Sequence, residues 1–140
     1  MQQQVSKEKT GRVLLADSHQ NMLAGIRSLL ENIFEVVVMV ADERSLLDSL
    51  DKISPDLIVV DLSMPITQEA NIVRRIRRLK PDLKIIIPSV HNEQVAADEC
   101  LSAGASGFVV KGTATNDLIP AVWEVLKDRT YISPSVNIEI

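Results

Sequence analysis

The chain has 140 residues, enough for one domain of ordinary size with a self-sustaining core. With 46% hydrophobic and 24% charged residues it reads as a soluble globular protein, and aromatics at 3% leave the core to Leu, Ile and Val. The net charge of −4 argues against gripping a nucleic-acid backbone, which needs clustered Lys and Arg. One cysteine, Cys100, excludes an internal disulfide and suits a reducing compartment.

The opening MQQQVSKEKT lacks the apolar stretch of a signal peptide, and no run approaches a membrane span. A cytoplasmic protein with a polar tail over residues 1–11 is expected. Short apolar, β-branched runs then alternate with longer periodic segments. The runs are Val13-Leu14-Leu15-Ala16, Val36 to Val40, Leu57 to Val60, Ile85-Ile86-Ile87 and Phe108-Val109-Val110. Strands apolar on both faces belong to a parallel sheet covered by helices on each side.

Between them, Met22, Ile26, Leu29, Leu30 and Ile33 form one helical stripe, Leu46, Leu47, Leu50 and Ile53 a second, and Ile72, Ile76 and Leu79 a third. A fourth helix is predicted from about Asn92, as N-cap, to Ala103, with Gly104 ending it. The fifth carries Leu118, Val122, Val125 and Leu126, and Pro120 is tolerable there if the helix begins near Asp117. Pro88 in the fourth strand costs a ladder bond unless a bulge or the strand end absorbs it. Five βα units with right-handed crossovers give an α/β, flavodoxin-like fold. Its five-stranded parallel sheet of order 2-1-3-4-5, the common solution at this size, has helices on both faces.

In such sheets the working crevice lies beyond the carboxyl ends of the strands. Asp17-Ser18-His19 follows the first run, Asp61-Leu62-Ser63-Met64-Pro65 the third, Ser89 the fourth and Lys111 the fifth. Two carboxylates brought together repel unless a cation separates them, and hard oxygen donors favour Mg2+. With an amine and a hydroxyl opposite, this is a plan for phosphoryl chemistry by positioning and charge neutralisation. A carboxylate would be the nucleophile, because no activated Ser–His pair or suitable Cys is present. The competing account is a structural salt bridge between Lys111 and one aspartate.

These residues, together with Ser89-Val90-His91 and Gly107-Phe108-Val109-Val110-Lys111, resemble the receiver domains of bacterial two-component response regulators. The resemblance runs from about Arg12 to Arg129, the span read as the receiver domain at 12–129. Residues 130–140, with Tyr131-Ile132-Ser133-Pro134, resemble the start of the linker in regulators that carry a C-terminal helix-turn-helix domain; no such domain follows in this chain. The resemblance implies that Asp61 takes a phosphoryl group from a sensor histidine kinase. It implies that Asp17, Asp61 and the backbone carbonyl of Ser63 hold Mg2+. Lys111 would pair with Asp61 and then with phosphoryl oxygens, and Ser89 would move to bond the phosphoryl group while Phe108 turns inward. It also implies a readout surface on the fourth helix, fifth strand and fifth helix, often used to form a homodimer. DNA would be met only through an output domain absent from this chain, and no membrane is involved.

Three positions depart from the family pattern. Ser18 stands where a second metal-contacting acid is usual, so weakened Mg2+ binding is expected. Glu69 replaces a usual glycine, and Gly112 replaces an acid or proline at the start of the fifth helix. His91 is a candidate modulator of phosphoaspartate hydrolysis, His19 a structural residue, and Cys100 a small apolar residue of the fourth helix. The basic run Arg74, Arg75, Arg77, Arg78 and Lys80 is read as a solvated face, and Trp123 as a partner anchor or a half-buried core residue. Two alternatives stand beside the phosphorylation switch. One is a degenerate receiver that docks partners without phosphorylation. The other is an aspartate-nucleophile phosphatase, disfavoured because Ser63 lies where such enzymes carry a second acid; the chain is expected not to be an enzyme.

Overall fold

A computed structural model of the protein describes residues 9–17, 20–62 and 72–136. The elements, in chain order, are β1 (Arg12–Ala16), α1 (Gln20–Glu31), β2 (Val36–Val40), α2 (Glu43–Ile53), β3 (Leu57–Val60), α3 (Ile72–Leu79), β4 (Lys84–Ser89), α4 (Gln94–Ala103), β5 (Gly107–Val110), α5 (Ala114–Leu126) and β6 (Tyr131–Ile132). A single 3-10 turn, Lys111–Thr113, joins β5 to α5.

All strand pairs are parallel, and the sheet runs β2-β1-β3-β4-β5-β6. The period of two along each strand sorts the core into two layers. Val13, Leu15, Leu57, Val59, Ile86 and Val109 face α1 and α5, where they meet Ile26, Leu30, Leu118, Val122 and Val125. The alternate residues Leu14, Ile58, Val60, Ile85, Ile87 and Phe108 face the other way, against Leu46, Leu50, Ile72, Ile76 and Ala97 of α2, α3 and α4. Each such side chain, fully withdrawn from water, contributes about 1.5–3 kcal/mol. The doubly wound α/β class expected from the apolar runs is the observed one.

Several details differ from the expectation. Among the described residues the sheet has six strands instead of five: Tyr131 and Ile132 pair with Gly107 and Phe108, so residues read as linker extend the sheet. A strand of two residues is too short to show alternation, which is why periodicity missed it. The N-cap of α4 is Glu93 with extended backbone, not Asn92, while Gly104 ends the helix as expected, at φ 119°. There a Cβ would meet the Arg77 side chain at 3.2 Å, and the left-handed backbone itself favours glycine.

In α3, Leu79 is 53% exposed, while Val73 is buried. Leu79 is the last residue of the helix, and Leu83 in the following turn closes that end of the core. α5 begins at Ala114, three residues before Asp117, so Pro120 lies inside the helix. The bond its missing N–H forgoes is to the carbonyl of Asn116. Both residues are exposed, so water can serve that carbonyl.

Pro88 belongs to β4, but the β3–β4 register ends at Val59↔Ile86. Ile85 directs its carbonyl to Ser106 beside β5, so by alternation the missing N–H of Pro88 faces β3 beyond the last registered pair. The basic run is only partly a solvated face. Arg74 and Arg78 are exposed. Arg77 donates to the carbonyls of Pro81 (2.6 Å) and Gly104 (2.7 Å), Arg75 reaches Glu43 at 3.1 Å, and Lys80 reaches Asp51 at 2.7 Å. Trp123 is half-buried beside the α1–α5 layer. Among the described residues no helix is long and apolar enough to cross a membrane.

Candidate functional site

The sheet reverses direction about β1: the chain goes from β1 to neighbour β2, then to β3 on the other side. At such a switch point the connections diverge and leave a crevice at the carboxyl ends of the strands. Asp17 and Asp61 are the residues immediately after β1 and β3. Their backbones are fixed by one more rung: Asp17 N–H donates to Val40 O at 3.0 Å, and Asp61 N–H to Ala16 O at 2.8 Å.

Both acids are buried, Asp17 completely and Asp61 to 2% exposure. Lys111, first residue of the 3-10 turn after β5, is buried with them, and its ammonium pairs with the Asp61 Oδ2. Removing such ions from water costs several kcal/mol each, so they persist only where partners compensate. Among the described residues, Asp17 and Asp61 bring two carboxylates, both hard oxygen donors, to the Lys111 ammonium. That donor chemistry fits a divalent cation such as Mg2+. Among the described residues there is no cluster of three or more His, Cys, Asp or Glu able to bind a metal, and the donors at the rim are Asp17 and Asp61.

Ser89 ends β4 and stands in register with Val110, the residue before Lys111. It is half-buried, and its Oγ accepts from the His91 N–H at 3.0 Å. A cavity of about 390 Å³ opens beside it, lined among others by Asp61, Ser89, His91, Cys100, Phe108 and Lys111. Phe108 is 1% exposed, so the inward position expected after switching is already occupied here. His91 is exposed, with its Nδ1 3.6 Å from Glu93 Oε1.

The fold thus brings Asp17, Asp61, Ser89 and Lys111 to one rim and places Phe108 and His91 on the adjoining cavity. Ser18, His19, Ser63, Met64, Pro65 and Glu69 lie outside the described residues. Gly112 sits in the turn that runs directly into α5. Two features were not anticipated. Cys100 of α4 lines the cavity, and burial, with Glu99 adding to it, pushes its thiol up. Ser133 is buried against β5 and accepts from Val110 N–H at 2.9 Å. Cys100 carried no signal beyond its place on a helix, and Ser133 fell in the segment read as linker.

An open α/β sheet with buried acids and a lysine at its switch point defines the class: a doubly wound protein with an acidic strand-end crevice. The family model for the response regulator receiver domain matches residues 13–123, and the chain belongs to that family. It is 31% identical over 139 residues to the transcriptional regulatory protein DegU of Brevibacillus brevis, covering 98% of this chain and 58% of DegU. The isolated receiver domain of RcsB from Salmonella enterica serovar Typhimurium, solved with the phosphomimetic BeF3-, has 29% identity and a TM-score of 0.80. The match covers 91% of this chain and 96% of that one. A structure of two RcsB dimers bound to two parallel DNAs matches at 30% identity and TM-score 0.81, over 91% of this chain and 66% of that one. The chain spans about three-fifths of the length of the curated relatives it matches.

Proposed function

We propose that this domain is a phosphorylation switch whose acceptor is Asp61. The observation that carries the reading is the buried Asp61–Lys111 pair beside Asp17 at the switch point of the sheet. In the reaction, an Asp61 carboxylate oxygen attacks the phosphorus of a phosphohistidine on a sensor histidine kinase. The O–P bond forms as the P–N bond breaks, and the leaving imidazole nitrogen keeps the electron pair and takes up a proton. Lys111, already paired with that carboxylate, passes to the phosphoryl oxygens, where its ammonium offsets the added negative charge.

Asp17 and Asp61, with the Ser63 carbonyl and water, would hold Mg2+. When bound, the ion neutralises charge on the transferring phosphoryl group. The thin donor set, with Ser18 at the position of a usual acid, points to modest affinity. Ser89 would turn from the His91 N–H toward the phosphoryl group, and the Phe108 cavity gives the β4–α4 connection room to repack. The chemistry is confined to the domain's own aspartate, so it is a switch and not an enzyme acting on other substrates.

By analogy with DegU and RcsB, the output is control of transcription. DNA is contacted through a domain outside this chain, in a homodimer formed through α4, β5 and α5. The thin donor set also favours a second reading, a docking module that works unphosphorylated.

One experiment separates them. The protein is incubated with Mg2+ and a small phosphodonor and weighed by mass spectrometry. Gain of a single phosphoryl group, absent in Asp61→Asn, is the expected result. No modification at any Mg2+ concentration overturns the switch in favour of the docking module.

A further inference from the structure

The turn that carries Lys111 is fastened at both ends by the same distant segment. On one side, Ser133 makes two bonds to β5. Its N–H donates to Phe108 O at 2.9 Å, and its Oγ accepts from Val110 N–H at 2.9 Å. β6 ends at Ile132, so beyond it no ladder carbonyl is available to the outward N–H of Val110, and the Ser133 hydroxyl takes that place. On the other side, Thr113 Oγ1 donates to Asp117 at 2.6 Å and lies 3.0 Å from Ser135 Oγ. Lys111 sits between Val110 and Thr113.

The segment is itself anchored. Tyr131 N–H donates to Ser106 O at 3.0 Å, and Ile132 and Val136 pack into the same core layer as Phe108. Ser133 is 1% exposed, so the Val110 N–H has no water to fall back on if the hydroxyl is removed.

We propose that Ser133 is a positioning residue for Lys111, and that through it the segment Tyr131–Val136 and the Asp61–Lys111 pair are coupled. The hydroxyl holds the last peptide of β5, and with it the origin of the lysine side chain, at the depth where the ammonium meets Asp61. Coupling is reciprocal: what displaces Lys111 loosens the segment leaving the domain, and what loosens the segment shifts Lys111. The effect on phosphorylation rests on the role proposed for Asp61; the coupling itself does not.

The test therefore has two arms, both on the full chain. In the first, backbone amide exchange is followed in the wild type and in Lys111→Arg, which keeps a cation in the pocket but changes its length and shape, with Leu14 as a core reference. A larger acceleration over wild type at Val110 and Ser133 than at Leu14 is expected; equal acceleration at all three, or none at Val110 and Ser133, overturns the coupling. This arm is decided whether or not the protein accepts a phosphoryl group.

In the second, Ser133→Ala, Ser133→Thr and Val136→Ala are compared for exchange at Val110 and for phosphorylation by a small phosphodonor with Mg2+. Ser133→Ala is expected to lose roughly fivefold protection at Val110, the worth of one hydrogen bond, and to be phosphorylated several-fold more slowly. Ser133→Thr, which keeps the hydroxyl, recovers both. Val136→Ala, which leaves both Ser133 bonds in place, weakens the anchoring and slows phosphorylation less than Ser133→Ala does. An unchanged rate in Ser133→Ala, or an equal fall in Ser133→Ala and Val136→Ala, removes the positioning role. A wild type that takes no phosphoryl group overturns the phosphoacceptor reading and leaves the coupling to the first arm.

Discussion

The two ends of the sheet carry similar charges and use them differently. At the amino end, Arg12 N–H donates to Asp56 at 2.8 Å, its guanidinium donates to Ile53 O at 2.9 Å, and Lys84 pairs with Asp128. The Lys84 and Asp128 side chains are 27% and 79% exposed, so water and salt screen the pair. At the carboxyl end the Lys111 and Asp61 side chains are only 4% and 3% exposed, with Asp17 fully buried beside them. The first arrangement ties chain segments together at little cost. The second gathers three ionisable side chains in a place where charge is expensive, which a stable fold does not require. Burial, more than the presence of an ion pair, distinguishes the end proposed to carry the function.

That contrast is open to direct attack. Lys111→Met should produce the largest effect, because it leaves the buried Asp61 without the ammonium it pairs with. Chemical denaturation at neutral pH, with divalent ions removed, should show a loss of about 3–5 kcal/mol. A loss under ~1 kcal/mol would place the buried pair on a par with the exposed one.

Asp17→Asn should act in the opposite sense. Relieving carboxylate repulsion leaves stability without Mg2+ unchanged or raised, but removes the stabilisation that Mg2+ provides. At Mg2+ ten times its Kd that stabilisation is about 1.4 kcal/mol, a few degrees in Tm, and thermal melts with and without Mg2+ read it directly. A Mg2+-induced shift that survives Asp17→Asn would remove Asp17 from the ion's ligands. The smallest effect is expected at the amino end: Lys84→Ala should cost less than about 1 kcal/mol and fade with added salt in the same denaturation assay.

Much of the fold, and the residue types at its rim, are legible in the amino-acid sequence. The five apolar runs became β1 to β5 because strands buried on both faces must be continuously apolar. Asp17, Asp61, Ser89 and Lys111 could be grouped because parallel strands all end on the same edge of the sheet. Leu79 and Pro120 misled for a shared reason. Periodicity says which face of a helix a residue is on, but not where the helix starts or where the sheet beneath it stops.

The amino-acid sequence by itself determined the doubly wound class and the chemical types at its rim, since both depend on local pattern and on a fixed strand direction. Tertiary structure alone decided that Lys111 pairs with Asp61, that Phe108 is already inside, and that Arg77 closes the end of α4. It also decided that Tyr131 and Ile132 form a sixth strand, with Ser133 clamping β5 beside the lysine. Each of these joins residues more than 20 positions apart, or depends on how far a side chain is removed from water. Neither separation nor burial leaves a periodic trace in the chain. The contact between the departing segment and Lys111 is of this kind, set by which edge of the sheet lay open when the chain returned from α5.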